Sequence, residues 1–490
     1  MEKNNNYIYL LGFILALGTF FILPNNDDFY CLLAPHKYEG INVFLPNGAF
    51  WRPLDALWGI MMGKCVGAFP YLNHLLVLLL YTFCIYGLTK ILDDCNVDGF
   101  AKKISIALFM LSPALVATVY SIDSINQVLC MTFGISSVLL YPKSKVLGYL
   151  MMLLALFSKE SGISWFIVTP FMCMIIKNIQ EGTNCEDFKC YKQLVKPYLI
   201  SLSILGGYFF LRIYLQAPET ADITGNYAGG IGLNSLVGLG LLLGISLTTI
   251  DTIAMFLEHN WIVVIISTII SFSFLWVLIK KLFCLQKQNL VRLIQCLLII
   301  LALTAPHLVM EHPGEMHAFP TLWGIALAIG IIFRTAKWNV SDNRVILLFF
   351  TCCILVYIHK GYYMYKAGQF AKQRVESVIT NTKVIPNIVC ILDCDPPFTE
   401  YSVFQASGEY AWYKGWASRV YFDLVNPQKT DYYVIHPNEL DKYLLRAKSS
   451  QKYDAIWVVR DNKVRVLPQN DNRIQIQNYE NKHLYKCKKM

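Results

Sequence analysis

The sequence predicts an all-α polytopic membrane protein with a small soluble α/β domain at its C-terminal end. Of its 490 residues, 55% are hydrophobic and only 15% are charged, whereas soluble domains carry about 25% charged residues. Apolar runs of the length that crosses a bilayer, about 17–25 residues, recur in residues 1–362. After Tyr363 the chain is rich in Lys, Asp, Asn and Tyr and has no such run. We therefore predict a membrane domain, 1–362, and a soluble domain, 363–490.

About eleven runs qualify as transmembrane helices by length and hydropathy. The run at 8–23 has no small-x-small cleavage site behind it, so we interpret it as a retained span and not a signal peptide. The stretch 231–257 is Gly-rich and contains Asp251, and we predict that it re-enters the membrane or lies at its surface. The predicted spans are 8–23, 71–90, 104–120, 125–141, 146–158, 161–176, 198–215, 261–279, 293–310, 318–333 and 345–362.

The distribution of Lys and Arg predicts the orientation of these spans. With 231–257 left out of the spans, most Lys and Arg outside the tail fall in one set of alternate loops, together with Lys3. Cytoplasmic loops are enriched in Lys and Arg. The N-terminus is therefore expected in the cytoplasm and the soluble domain outside it. We expect the protein in a bacterial inner membrane, because the chain ends in "YKCKKM", which is no retention signal.

Ionisable residues collect at one predicted membrane face, the outer one. Such residues within or beside spans are energetically expensive and usually functional. Taken singly, each has a structural explanation, such as a solvated turn, a helix cap or an Arg that extends to the headgroups. The convergence of six separate segments on one face favours a functional site. The residues are Asp27, Asp28, Arg52, His74, Asp123, Lys159, Glu160, Arg212, Glu311, His312, Glu315 and His317.

Neither the histidines nor the cysteines indicate a metal centre. The segment "EHPGEMH" is interrupted by Pro313 and Gly314, so it lacks the i, i+4 spacing of a helical zinc motif. No cofactor is expected, and a divalent metal is a less favoured alternative. In the tail, Cys390, Cys394 and Cys487 can include one disulfide in an oxidising compartment, and their spacing does not select a pair.

Several of these segments, in this order, resemble a known family. They are "NDDFY", "WRPLDAL", "GKCVGAFPYLNHLLVLLL", "LSPALVATVYSIDSINQVL", "MLLALFSKESGIS" and "GEMHAFPTLWG". Together they resemble the GT-C glycosyltransferases that use polyprenyl-phosphate sugars, and in particular the transmembrane part of the protein O-mannosyltransferases. The resemblance covers about residues 1–362. Met316 stands where that family usually has Arg, and the tail lacks tetratricopeptide repeats, so mannose and a peptide acceptor are not carried over.

The resemblance implies a GT-C-like membrane domain that transfers a sugar to an acceptor hydroxyl outside the cytoplasm, with inversion. The expected partners are a polyprenyl-phosphate-linked sugar donor, membrane lipids and a hydroxyl acceptor on a glycan, lipid or protein, and no nucleic acid. Such a reaction needs a carboxylate within hydrogen-bond reach of the attacking hydroxyl. Asp28 or Asp27 is our candidate for this base, with Asp28 favoured by the family pattern.

The departing phosphate needs cations or hydrogen-bond donors, because negative charge develops on it. Lys159, Arg212 and Arg52 are the candidates for that role. We expect Asp123 and Glu160 to position these cations or the first outer loop. Glu315 and His317 are expected to line the sugar or acceptor pocket. His74 joins the substrate-binding group, with a hydrogen bond to the preceding loop as its alternative role.

The tail is predicted to be an α/β domain on the outer face. Residues 384–395 and the start of "KTDYYVIHPNELDKYLLRA" read as strands, and "YDAIWVVRDNKVRVLPQ" reads as a hairpin. Residues 365–381 look helical and polar. The aromatic stretch 409–422 fits either a domain core or a surface that stacks on sugar rings.

Two other functions are compatible with many spans and outer polar residues. A polymerase or ligase of lipid-linked polysaccharide usually concentrates its function in a large central outer loop, whereas here the longest clear outer loop before the tail is 24–70. A transporter or flippase of lipid-linked saccharide often has internal repeats and polar residues at the bilayer midplane. The sequence has no visible repeat, and only 231–257 favours a transporter.

Overall fold

The structure is a computed structural model of the chain, and it forms two compact units. The first comprises residues 1–20, 37–61 and 71–362, and the second comprises 21–36, 62–70 and 363–490. The structure describes residues 6–24, 28, 40–46, 50–65, 70–183, 189–216, 230–284, 287–310, 313–381, 388–393, 431–435, 455–460 and 463–467.

Helices dominate the described residues. The α-helices are α1 (Asn6–Leu17), α2 (Pro53–Cys65), α3 (Pro70–Asp94), α4 (Gly99–Leu111), α5 (Val116–Val119), α6 (Ile125–Leu140), α7 (Lys145–Ser158), α8 (Trp165–Gln180), α9 (Lys189–Lys192), α10 (Val195–Tyr214), α11 (Leu233–Leu247), α12 (Thr252–Phe256), α13 (Trp261–Phe283), α14 (Lys287–Thr304), α15 (Ala318–Ile332) and α16 (Val340–Asn381).

The helices confirm a polytopic membrane protein. Among the described residues, seven helices are long and apolar enough to cross a membrane, or eight if a bent pair forms one span. Each predicted span coincides with a helix, although α1, α6 and α7 are shorter apolar helices. The number of about eleven crossings therefore stays a prediction. The predicted polar helix after the last span is the continuation of α16, which runs through to Asn381.

The predicted span 104–120 differs from the structure, because its helix breaks at Pro113. Helix α4 ends at Leu111, and Ser112 is extended, with φ −63° and ψ 130°. The residue before a proline is disfavoured in the α region. A short 3-10 turn, Pro113–Leu115, and then α5 follow, at a bend of 40°. The bend ends at the turn that carries Asp123.

The segment that contains α11 returns to the place where it starts. Near its first turn, the Ser235 hydroxyl donates to the Leu308 carbonyl at 2.7 Å. After α11, Thr252 hydrogen-bonds to Glu315. Ser235 in α11 and Thr252 after it therefore both contact residues between α14 and α15. That 231–257 does not cross the membrane stays a prediction.

Helix α15 is the centre of the first unit, and every one of its residues is buried. Small residues allow its neighbours to come close. A Cβ on Gly330 would lie 2.4 Å from the Leu92 side chain, and the Ser105 hydroxyl donates to the Ala326 carbonyl at 2.5 Å. Because α15 begins directly after His317, its packing fixes the position of that residue.

The described tail residues contain a four-stranded sheet. Its strands are β1 (Ile388–Asp393), β2 (Asp431–Ile435), β3 (Ala455–Arg460) and β4 (Lys463–Leu467), in the order β2-β1-β3-β4. Strand β1 pairs in parallel with β2 and β3, and β3 and β4 form the predicted antiparallel hairpin. The strands lie within the predicted strand segments. The predicted helix after β2, the aromatic stretch 409–422, Cys394 and Cys487 lie outside the described residues.

Candidate functional site

The turn between α7 and α8 carries two of the candidate residues. Helix α7 ends at Ser158, Lys159 is extended with φ −158° and ψ 145°, and a 3-10 turn, Glu160–Ser164, leads into α8. Gly162 allows the turn to fold tightly onto α7, since a Cβ there would lie 2.4 Å from backbone atoms of that helix. The side chains of Lys159 and Glu160 are therefore held on a rigid support.

Glu160 binds the start of α2, the helix of the first outer loop. Its carboxylate accepts hydrogen bonds from Arg52 in bidentate geometry, from Nε to Oε1 at 3.1 Å and from Nη2 to Oε2 at 2.7 Å, and Nε also lies 2.8 Å from Oε2. It also accepts the backbone N–H of Trp51 at 3.1 Å. Glu160 thus links the α7–α8 turn to the first outer loop through Arg52 and Trp51, and its predicted role in positioning that loop stays a prediction.

Lys159 is a buried ammonium with a neutral partner. Its side chain is 8% exposed, and Nζ donates to Oδ1 of Asn126 at 3.2 Å. This amide is its one hydrogen-bond acceptor among the described residues, although Asp123 adds a favourable electrostatic interaction. Burial first, and then Arg52, lowers the pKa of Lys159 to about 8. An ammonium carries three donors, so Lys159 retains capacity for an anionic ligand.

Asn126 also connects Lys159 to a carboxyl group that the sequence analysis did not single out. Asp55, in the first turn of α2, interacts with Asn126 and Lys159. Burial raises the pKa of Asp55, and Arg52, Asn126 and Lys159 oppose that shift. The carboxyl group of Asp55 therefore belongs to the same cluster of charges as Lys159 and Arg52.

Arg212 adjoins this cluster through aromatic rings. Tyr208, one turn before it on α10, stacks on Trp51 with ring centroids 5.1 Å apart. Arg212 interacts electrostatically with Tyr208, and its guanidinium lies 6.0 Å from the ring centroid of Phe209. Four predicted candidates, Arg52, Lys159, Glu160 and Arg212, thus surround Trp51 and its neighbours.

Two buried imidazoles lie beside Lys159. His307 and His317 have ring centroids 5.0 Å apart, and both interact electrostatically with Lys159. Nδ1 of His317 accepts the backbone N–H of Gly314 at 3.0 Å. One nitrogen of His317 is therefore used by the local backbone, and only the other is available to a substrate.

Glu315 points into a separate group of ion pairs. Its carboxylate lies 2.9 Å from Nζ of the buried Lys360 and hydrogen-bonds to Thr252. That Glu315 and His317 line one pocket stays a prediction. Next to this pair along the chain, His359 contacts Asp251 at 2.5 Å and Glu258 at 3.3 Å.

The other predicted residues are placed as follows. His74 is fully buried, and its Nδ1 lies 2.7 Å from the Thr19 hydroxyl, which donates to the Val119 carbonyl. His74 thus joins α3 to the 3-10 turn that follows α1, and its predicted roles in substrate binding and in a bond to the preceding loop stay predictions. Asp28 is 1% exposed and belongs to the second unit. Asp27, Glu311 and His312 lie outside the described residues, among which no three His, Cys, Asp or Glu side chains gather in the manner of metal ligands.

Sequence reasoning missed Asp55, Asn126, His307 and Lys360. Asp55 had a usable signal, because it lies three residues after Arg52 and Pro53 marks a helix start, so the two side chains share one turn. Asn126 and His307 look like ordinary polar residues at span ends, and only the fold brings them to Lys159.

Comparisons with known proteins give a structural likeness and no sequence match. No family model matches the chain, and no curated protein matches it. The crystal structure of ArnT from Cupriavidus metallidurans bound to undecaprenyl phosphate is similar over 96% of this chain and 97% of that chain, with 10% identity and a TM-score of 0.46. At this level of similarity, the function has to be argued from the residues themselves.

Proposed function

We propose that the protein is a GT-C-type integral-membrane glycosyltransferase. It moves a sugar from a polyprenyl-phosphate carrier to an acceptor hydroxyl on the extracytoplasmic face of a bacterial inner membrane. The observation that carries this proposal is Lys159, a buried cation whose partner is the neutral amide of Asn126. A buried charge is expensive unless it is paired, and a phosphate group would complete the pairing.

Two of the other cations near the predicted outer face are paired with carboxylates. Arg52 is held by Glu160 and Lys360 by Glu315. Lys159 is therefore our first candidate for the anion-binding group, with Arg212 as a second candidate. This division of roles supports the prediction that Glu160 positions the first loop.

In the proposed reaction the acceptor oxygen attacks the anomeric carbon. The bond between that carbon and the phosphate oxygen breaks, and polyprenyl phosphate leaves with the bonding electron pair. Lys159 stabilises the charge that develops on the phosphate. A carboxylate accepts the hydroxyl proton, and Asp28 or Asp27 is proposed for this role. One direct displacement inverts the anomeric configuration.

The test uses the purified full-length protein in nanodiscs. We expect it to bind polyprenyl phosphate and to release polyprenyl phosphate from a polyprenyl-phosphate hexose when an acceptor is supplied. Lys159→Met is expected to weaken binding about tenfold or more, the scale of one charge-assisted hydrogen-bonded contact. Lys143→Met, at an exposed position between α6 and α7, is the matched control and should bind as wild type does.

Three results would contradict this proposal. Wild-type binding by Lys159→Met would exclude the phosphate role of that residue. Translocation of the carrier without its cleavage would favour the transporter. Unchanged transfer by both Asp27→Asn and Asp28→Asn would exclude those carboxylates as the base.

A further inference from the structure

His307 presents a buried nitrogen without a partner. It ends the 3-10 turn Ala305–His307 that follows α14, and it is 2% exposed. Its Nε2 has no hydrogen-bond partner among the described residues. Native structures leave few buried polar atoms unpaired, and those few are often completed by a ligand or a water. This nitrogen therefore marks a place where a polar ligand group can bind.

The neighbouring imidazole is neutral and has a fixed tautomer. Nδ1 of His317 accepts the Gly314 N–H, so this nitrogen carries a lone pair and the proton is on Nε2. The two rings lie 5.0 Å apart between centroids. The pair thus offers hydrogen-bonding nitrogens without adding a charge, which suits a sugar hydroxyl.

The pair is held next to the proposed phosphate cation. The Ser164 hydroxyl donates to the Ala302 carbonyl at 2.7 Å, which joins the Lys159–Glu160 turn to the end of α14 just before His307. On the other side, Thr118 donates to the Met316 carbonyl at 3.3 Å. The sugar of the donor is bonded directly to the phosphate, so it must lie beside the group that binds the phosphate.

We propose that Nε2 of His307 binds a hydroxyl of the donor sugar and that His307 and His317 form the sugar subsite. The proposal rests on the proposed glycosyltransferase function. It also names a class of donor, an uncharged sugar at this position. An ammonium group there would be placed near Lys159 and Arg52, both of which interact electrostatically with His317, and like charges repel.

The experiment compares two ligands that differ only in the sugar. Dissociation constants are measured in nanodiscs for polyprenyl phosphate and for a polyprenyl-phosphate hexose, with wild type, His307→Leu and His307→Gln. His307→Leu removes the hydrogen bond, so it should weaken binding of the hexose carrier about tenfold and leave bare polyprenyl phosphate unchanged. His307→Gln retains an amide near the position of Nε2 and should restore most of the affinity.

The outcomes separate this subsite from the proposed function. Equal weakening of both ligands by His307→Leu, or of neither, would overturn the subsite. A polyprenyl-phosphate amino sugar that binds as tightly as the hexose would overturn the neutral-sugar part. If polyprenyl phosphate binds Lys159→Met as tightly as wild type, the proposed phosphate site is rejected. That conclusion does not depend on the results for the His307 variants. A thermal unfolding curve for each variant shows that the fold is retained.

Discussion

Nζ of Lys159 lies 3.2 Å from Oδ1 of Asn126, and the half-buried Asp55 interacts electrostatically with Lys159. A neutral amide is therefore the hydrogen-bond partner of this buried ammonium, and no carboxylate forms a direct ion pair with it among the described residues. Lys360 shows the contrasting arrangement, with Nζ 2.9 Å from both carboxylate oxygens of Glu315. An amide partner holds Lys159 in place and leaves its charge for a ligand.

Binding of polyprenyl phosphate should depend on the charge of Lys159. The pKa of Lys159 is lowered to about 8, so the ammonium is lost as pH rises through that value. We expect the affinity to be constant below about pH 7.5 and to fall up to tenfold for each further pH unit above 8, since one proton accompanies the ligand. Lys159→Arg keeps its charge and should show no such fall below pH 10. If the affinity of wild type for polyprenyl phosphate does not change between pH 7 and pH 10, the prediction is wrong.

The same residue should reduce stability at neutral pH. The pKa of Lys159 is about 8 in the folded protein against a reference of 10.5, so the folded state disfavours the charge. At pH 7 Lys159→Met should raise the free energy of unfolding by about 1–2 kcal/mol, after allowance for the lost bond to Asn126. Wild type should gain stability between pH 8 and 10.5, where the unfolded state binds more protons. Thermal unfolding in detergent measures both effects, and a destabilised Lys159→Met protein would refute the prediction.

The Arg52–Glu160 pair should behave as one unit. The two side chains are 20% and 27% exposed, so each single substitution, Arg52→Met or Glu160→Gln, is expected to lower stability by about 1–3 kcal/mol. The double variant should lose less unfolding free energy than the two single variants lose together. The reason is that the second substitution removes a charge that the first has already left without its partner. Strict additivity of the unfolding free energies would show that the pair is not coupled.

Gly162 is expected to be indispensable to the Lys159–Glu160 turn. The added Cβ of Gly162→Ala would meet α7 backbone atoms at 2.4 Å, and backbone cannot rotate away. We expect a loss of about 2 kcal/mol or more in stability and weaker binding of polyprenyl phosphate. Gly207→Ala on α10 is the control, since its Cβ has no neighbour within 4 Å and alanine favours a helix. Wild-type binding by Gly162→Ala would show that the turn tolerates displacement.

The orientation can be tested with single introduced thiols. Asn42 and Lys143 are both exposed and lie in loops that the distribution of Lys and Arg assigns to opposite sides. Labelling of the native cysteines is measured on the parent chain and subtracted. A membrane-impermeant thiol reagent should then label Asn42→Cys in intact spheroplasts. It should reach Lys143→Cys only after permeabilisation. The reverse pattern would place the site in the cytoplasm.

The positions of the helices could be predicted because a bilayer crossing requires a long apolar run, which the sequence displays directly. The break at Pro113 was also visible, since proline removes a backbone donor and constrains Ser112, yet the apolar run continues across it. Helix α2 was missed because it lies in a loop without a long apolar run. Pro53, at the first position of this helix, was the residue that could have indicated its start.

The sequence predicted Lys159, Glu160 and Arg52 as candidates because their charges lie in predicted outer loops and turns, and their roles stay predictions. The pairing of Arg52 with Glu160 could not be predicted, because the two residues lie 108 positions apart in the sequence. Nor could the sequence distinguish His307, whose Nε2 has no hydrogen-bond partner in the part of the chain that the structure describes. Neutral polar groups are tolerated at many span ends, so their presence alone indicates little.

The long separation between Arg52 and Glu160 also bears on how the protein is made. When α2 leaves the translocation machinery, its carboxylate partner has not been synthesised, and α3 to α7 must be inserted first. A nascent chain arrested before Ser158 would hold Arg52 without Glu160. Closure through the Arg52–Glu160 pair therefore requires that α3 to α7 have been made, while α8 to α16 are still to follow.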